Sequence, residues 1–137
     1  MDCIFCDIIQ RKSPAEIIYE DEKVISFLDI RPINYGHTLV IPIKHYEDFI
    51  SVPGDEMNAI INVTQTISDA VSKSLKADGF NIIANNGAAA GQRVFHFHFH
   101  IIPRYNTDNF HFRPILKNYK NGSMKEVADK IRSAVIK

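Results

Sequence analysis

Residues 95–101 read FHFHFHI, a strict alternation of apolar side chains with three histidines, His96, His98 and His100. A period of two belongs to the β-strand, whose successive side chains point to opposite faces. The spacing therefore predicts a strand over 94–102. It would set three imidazoles on one face and turn Phe95, Phe97, Phe99 and Ile101 toward a core. Neighbouring imidazoles would stand roughly 6.5–7 Å apart at Cα, close enough to act on different atoms of one ligand. Three uses of such a face stay open: a merely polar strand surface, a metal cluster built from His-x-His, or nucleophilic catalysis. In the last, one nitrogen of a neutral imidazole attacks while the other donates to an orienting acceptor. A neighbouring ring can then hand a proton to a leaving group.

The rest of the chain has to supply a sheet for that strand. Residues 16–20 and 23–29, separated by Asp21-Glu22, predict a hairpin. HTLVIPI over 37–43 predicts a third strand, with Pro42 marking an edge or a terminus. Met57, Ile60, Ile61, Thr64, Ile67, Val71 and Leu75 recur at helical steps, which predicts a long amphipathic helix ended at Asp78-Gly79. Residues 80–85 predict a fourth strand, GAAAGQ over 87–92 a loop, and 94–102 the fifth strand. A short helix over 3–10, stopped by Pro14, opens the chain. A capping-box pattern at Ser123 and Glu126 opens a last helix running to about Val135. Residues 104–121 give no clear pattern. Strands joined by short turns favour antiparallel pairing. The expectation is an α+β domain spanning 1–137, its helices covering one face of a sheet of about five strands.

Composition narrows the function classes. A chain of 137 residues is most simply one domain. Its formal net charge of zero gives no global field for nucleic acid. No apolar run is long enough to span a membrane, and the start of the chain lacks the order of a secretory signal. Two cysteines, Cys3 and Cys6, are too few for a disulfide scaffold. These features predict a cytoplasmic protein without nucleic-acid or membrane partners. The C-x-x-C pair itself reads as a redox pair, half of a metal site, or two small buried side chains. No strand precedes Cys3, as a thioredoxin-type redox site would need. A structural zinc site would need two imidazoles besides the two thiolates.

HFHFHII resembles the signature of the histidine triad family, three histidines alternating with apolar residues and followed by two more. DCIFCDII near the start, Asp29-Ile30 before a proline turn, His37 opening HTLVIPIKH, and Gly91-Gln92 all have counterparts there. The resemblance spans about residues 2–105, leaving 106–137 as a C-terminal segment with the last helix. It implies the family's fold, one long helix packed on an antiparallel sheet of about five strands, with a short N-terminal and a C-terminal helix. It also implies hydrolysis at the α-phosphate of adenine nucleotides, at P–N or P–O–P bonds in phosphoramidates, adenylates or dinucleoside polyphosphates.

On that resemblance His98 is the nucleophile that carries a transient nucleotidyl group, His100 contacts the phosphate and leaving group, and His37 supports the nucleophile. Asp29 matches the carboxylate that binds the ribose hydroxyls. Phe5, Ile8 and Ile30 match the lining of the base pocket, Asn85 lies where an amide approaches the phosphate, and Gln92, counted with the substrate-binding residues, lies in the loop leading into the triad strand. Some microbial members, like the related galactose-1-phosphate uridylyltransferases, hold a structural zinc ion. The matching ligands are Cys3, Cys6, His45 and His96, with one ion per chain. A homodimer with a continuous sheet is implied as well. A nucleotidyl transferase, or a nucleotide-binding or scaffolding module with vestigial activity, is the alternative. Arg93 departs from the hydroxyl residue of well-known members and carries no assigned role. Arg104 and His111 read as surface side chains.

Overall fold

Five strands form one antiparallel sheet in the order β1-β2-β3-β5-β4. They are β1 (Ile17–Glu20), β2 (Val24–Leu28), β3 (Thr38–Pro42), β4 (Gly79–Ile83) and β5 (Phe99–Arg104). Among the described residues three α-helices accompany them, α1 (Ile4–Ile9), α2 (Gly54–Ser74) and α3 (Ser123–Ala134), with one 3-10 turn at Ala88–Ala90. The computed structural model describes residues 2–135, so residues 1, 136 and 137 of the expected 1–137 span lie outside the described residues. β2 and β3 are central and buried along nearly their whole length. β1 alternates half-buried and exposed, as a strand with one covered face must.

The sheet is covered on both faces rather than one. Against the first lies α2, whose Ile60, Val63, Ile67 and Val71 pack with Val24, Val40, Phe97 and Ile101. Against the second lies α1, where Phe5 and Ile8 pack with Ile25, Phe27, Leu39 and Ile41. Adjacent residues such as Val40 and Ile41 therefore enter different clusters, the period-two consequence of a sheet sandwiched between helices. α1 is too short to show a clear stripe in sequence, so its separate placement was not legible there.

Chain reversals differ in detail from the punctuation of the sequence. α1 ends with Arg11 at φ 63°, well before Pro14. α2 ends at Ser74, with Lys76 rather than glycine in the left-handed conformation, and Gly79 opens β4. Ser123 is the first residue of α3 rather than its cap. Gly122 holds the cap position at φ 76°, and the Ser123 hydroxyl donates to the Lys120 carbonyl. Pro42 marks a terminus, not an edge: it closes β3 in the middle of the sheet.

β5 starts at Phe99, not near 94, for a reason that matters at the site. Continuing the β3–β5 register beyond Val40↔Phe99 would pair Pro42 with Phe97. Pro42 has no N–H, and its carbonyl is taken by the imidazole of His96 at 2.8 Å. The N–H of Phe97 turns instead to the carbonyl of Tyr46. The alternation of faces survives this loss of pairing for Phe97, which is 1% exposed beneath α2. It fails for Phe95, which is 41% exposed rather than in the core.

Candidate functional site

The three histidines leave the backbone on the α1 side of the sheet, but they serve two different clusters. His96 is fully buried beside the two cysteines. His100 pairs across the sheet with Leu39 and meets the ring of His37. His98 lies between them, its ring centroid 4.8 Å from that of His100 and 5.0 Å from that of Phe5.

Backbone groups fix the proton on each ring. A carbonyl oxygen can only accept, so the 2.8 Å contact to Pro42 places a hydrogen on His96 Nε2 and leaves its Nδ1 as a lone pair. The 2.8 Å contact from His98 Nδ1 to the His96 carbonyl places a hydrogen there and leaves His98 Nε2 as the lone pair. His37 has the opposite arrangement. The Ile33 N–H donates to its Nδ1 at 3.1 Å, so the hydrogen sits on Nε2. That hydrogen is donated to His100 Nδ1 at 2.9 Å, which leaves His100 with its own hydrogen on Nε2. Asp29 Oδ2 lies 3.6 Å from His37 Nε2, while its Oδ1 accepts from the Arg31 N–H.

The electrostatics agree with neutral rings. Burial holds the pKa of His98 below the ordinary imidazole value of 6.5, against the opposing pull of the His96 carbonyl and Asp29. Burial also lowers His37. His100 is pushed down to about 4, by burial first and then by His98 and His37. These shifts predict how stability varies with pH. In the unfolded chain a histidine protonates near pH 6.5, whereas the folded form resists the proton. Stability is therefore fully present above pH 6.5 and lost as pH falls from there toward 4. Thermal melts at pH 7.5 and 4.5 read the difference. His100→Gln should narrow it, and an unchanged gap would remove His100 from the account.

Among the described residues, two groups of side chains bring possible ligand atoms within 4.8 Å of one another. In the first, Cys3 caps α1 and Cys6 lies three residues on, so both sulfurs stand at the helix start. His45 follows β3, and His96 precedes β5. Cys3 Sγ and Cys6 Sγ lie 3.5 and 3.6 Å from His96 Nδ1. Cys6 Sγ is 3.5 Å from His45 Nδ1, and the two Nδ1 atoms are 3.1 Å apart. A tetrahedral zinc ion with ordinary bond lengths requires S···N separations of about 3.6 Å and N···N of about 3.3 Å. The donor set fits, and His96 already presents its lone pair with its other nitrogen bonded to a carbonyl, as a metal-bound imidazole does. Burial, then the hydrogen bond with Cys3, hold the Cys6 thiol up at about 11.

The second group, Asp29, His37 and His100, does not fit a metal. The Ile33 N–H holds His37 Nδ1 as an acceptor, so Nε2 carries a hydrogen where a ligand needs a lone pair. The gap between His37 and His100 is already bridged by that proton. Equal proximity conceals opposite chemistry: one cluster presents lone pairs, the other passes a hydrogen.

A family model described as the HIT domain matches residues 10–107. The chain belongs to the HIT domain family. An uncharacterized HIT-like protein of Methanocaldococcus jannaschii is 50% identical over 133 residues, 95% of this chain and 98% of that protein. Adenylylsulfatase HINT3 of Arabidopsis thaliana is 44% identical over 107 residues, 78% of this chain and 54% of that protein. The crystal structure of a zinc-bound histidine triad family protein from Mycobacterium smegmatis is 42% identical. It covers 98% of this chain and 99% of its own, with a TM-score of 0.77. The five-stranded antiparallel sheet with its three helices is the HIT fold.

The remaining expected site residues of this HIT protein are placed as follows. Phe5 and Ile8 are buried in the α1 cluster, Phe5 edge-on to His98. Ile30 is 86% exposed in the turn after β2. Asn85 lies next to Gly91, and Gln92 is buried with its amide spent inside the loop. The Gln92 Oε1 accepts from the Gly87 N–H, and its Nε2 donates to the carbonyls of Glu47 and Val94. Sequence reasoning missed the groups that set the tautomers, namely the carbonyls of Pro42 and His96 and the N–H of Ile33. Backbone atoms leave no compositional signal. Arg104, read as a surface side chain, is instead paired with Asp108.

Proposed function

We propose that this protein hydrolyses adenine nucleotides at the α-phosphate, breaking P–N or P–O–P bonds through a nucleotidyl group carried on His98. The observation that carries this reading is the fixed tautomer of His98. Its Nδ1 hydrogen is held by the His96 carbonyl, so the lone pair on Nε2 is available to attack. In the first step the Nε2–P bond forms and the bond to the leaving group breaks, the leaving group departing with a proton. In the second, water adds to phosphorus, the Nε2–P bond breaks, and the mononucleotide is released. His100, with its hydrogen on Nε2, can donate to a phosphate oxygen or the leaving group, and His37 holds it in that state. Asp29, partly exposed, is assigned to the ribose hydroxyls, with Phe5, Ile8 and Ile30 toward the base. Asn85 is assigned to the phosphate, and Gln92 shapes the loop that faces it.

Cys3, Cys6, His45 and His96 would hold one zinc ion. When bound, it supplies structural charge compensation, tying α1 to the end of β3 and the start of β5. The reading extends to a cytoplasmic homodimer. Among the described residues the outer edge of β4 is unpaired, with Phe80 and Ile82 exposed on that strand, so a second copy can continue the sheet. Sedimentation at micromolar concentration reads the mass.

The test of the activity is a rapid quench in neutral denaturant with an adenosine phosphoramidate, followed by peptide mass spectrometry. A nucleotidyl adduct on His98 that appears and decays within one turnover supports the mechanism. Turnover with no adduct on any histidine sinks it, and binding without turnover would favour a nucleotide-binding module.

A further inference from the structure

The turn between β2 and β3 reaches the site through backbone atoms and is itself anchored from far along the chain. The N–H of His37 donates to the Asn34 carbonyl at 3.0 Å, and the Ile33 N–H donates to His37 Nδ1. Little apolar burial holds this turn. Ile30, Arg31 and Pro32 are exposed, and so is Tyr35. Beyond its own local hydrogen bonds, the turn is tied to the distant chain by the side-chain amide of Asn34, which donates to the Pro103 carbonyl at 2.7 Å and to Asp108 Oδ2 at 3.0 Å.

Asp108 is a built acceptor rather than a loop carboxylate. Its side chain is 6% exposed and takes Arg104 at both oxygens, Nε at 2.8 Å and Nη2 at 3.1 Å. The N–H groups of Tyr105 and Phe110 add 2.9 and 3.2 Å contacts. Arg104 is fixed in turn by Asn81 Oδ1 at 2.8 Å and by the Phe110 ring, whose centroid lies 4.7 Å from the guanidinium carbon. A bidentate pair of this kind combines strength with a defined direction. It leaves neither residue free to meet a substrate phosphate.

We propose that Asp108 is a positioning residue for the nucleotide site. Through Asn34 it holds the turn whose Ile33 N–H keeps His37 in the tautomer that donates to His100. The inference rests on the reading of His37 and His100 as members of the catalytic relay. Its physical content is directional. If the turn drifts, the N–H that blocks a proton on His37 Nδ1 is withdrawn. The imidazole can then hold its hydrogen on either nitrogen, and in the second tautomer it cannot donate to His100. Asp29 and Ile30, assigned to the ribose and the base, open the same turn, so KM can shift along with kcat, and the reading that isolates the relay is the His37 tautomer.

Asn34→Ala in the full-length chain removes the link while leaving the Arg104–Asp108 pair intact. The measurements are the 15N shifts of the His37 ring, the thermal melt, and kcat and KM on an adenosine phosphoramidate. The expected result is a His37 ring that becomes a mixture of tautomers, with kcat lower by roughly 10- to 100-fold. Asp108→Asn, which leaves the Asn34–Pro103 contact in place, should move the same signals in the same direction but by less, and if it does not fold, Asn34→Ala carries the test alone. An unchanged His37 spectrum in Asn34→Ala overturns the proposal, as does a fall in kcat without a tautomer change. The ring spectrum does not depend on turnover. A parent protein inactive on every nucleotide would sink the functional reading alone, with the positioning claim still decided by the spectrum.

Discussion

His98→Ala is expected to lower kcat for an adenosine phosphoramidate by roughly 10³- to 10⁶-fold, the range seen when a catalytic nucleophile is deleted. Mononucleotide affinity should stay within a few-fold. The expectation follows from the division of the ring into two ends. One end is spent on the His96 carbonyl, and only the other holds a lone pair. No neighbouring ring can replace it. His96 Nδ1 is turned to the two sulfurs, and His100 Nδ1 already accepts from His37. Both neighbours are therefore committed, and the loss should be close to complete rather than partial. On the proposed function the parent protein should also keep its activity into mild acid. Burial keeps His98 neutral below the ordinary imidazole range, so the acid limb of kcat/KM should lie below pH 6.5. Steady-state kinetics and calorimetry decide the matter. A His98→Ala variant retaining a tenth of the parent activity would mean that the attacking group is something else.

The alternation at 95–101 was legible because it obeys a period that only extended backbone has, and it put three imidazoles on one side of a core. What could not be read was which imidazole serves which cluster. That is decided by the end of β3. Pro42 lacks an N–H, the ladder stops, and His96 takes the carbonyl that a paired strand would have used. The paired cysteines and His45 were legible as a ligand set only through family resemblance, since spacing alone left redox and burial readings open. The C-terminal segment stayed opaque for a different reason. Arg104, Asp108, Asn34 and Asn81 form one network from three distant stretches, and each is an ordinary polar residue in its own neighbourhood. Helix ends misled where left-handed backbone fell on Arg11 and Lys76 instead of glycine. Such conformations are imposed by packing around the helix end, not announced by the residue that adopts them.

Cys3→Ser should act on the other cluster and through stability. On the zinc reading, the ion binds the folded chain and not the unfolded one. Its contribution therefore grows with free metal, reaching about 4 kcal/mol at a concentration 1,000 times Kd. At this chain length each kcal/mol moves Tm by roughly 3–5 °C. A drop on the order of 10 °C or more is expected in the variant, and a similar drop when the parent is treated with chelator. Metal content should fall from one zinc ion per chain to near none. The effect exceeds that of an ordinary surface-helix change because Cys3 does three things at once. It caps α1 through the Cys6 N–H at 3.3 Å, packs in the α1 cluster, and faces the His96 lone pair. Serine preserves the cap but not the ligand. Alanine would lose the cap as well, and the chelator treatment of the parent separates loss of metal from the change of packing that a buried hydroxyl brings. Mass spectrometry of the native protein and melts with and without chelator separate the cases. A Cys3→Ser protein that melts like the parent and keeps its zinc would show that the four donors, though correctly spaced, are not what holds the N-terminal helix to the sheet.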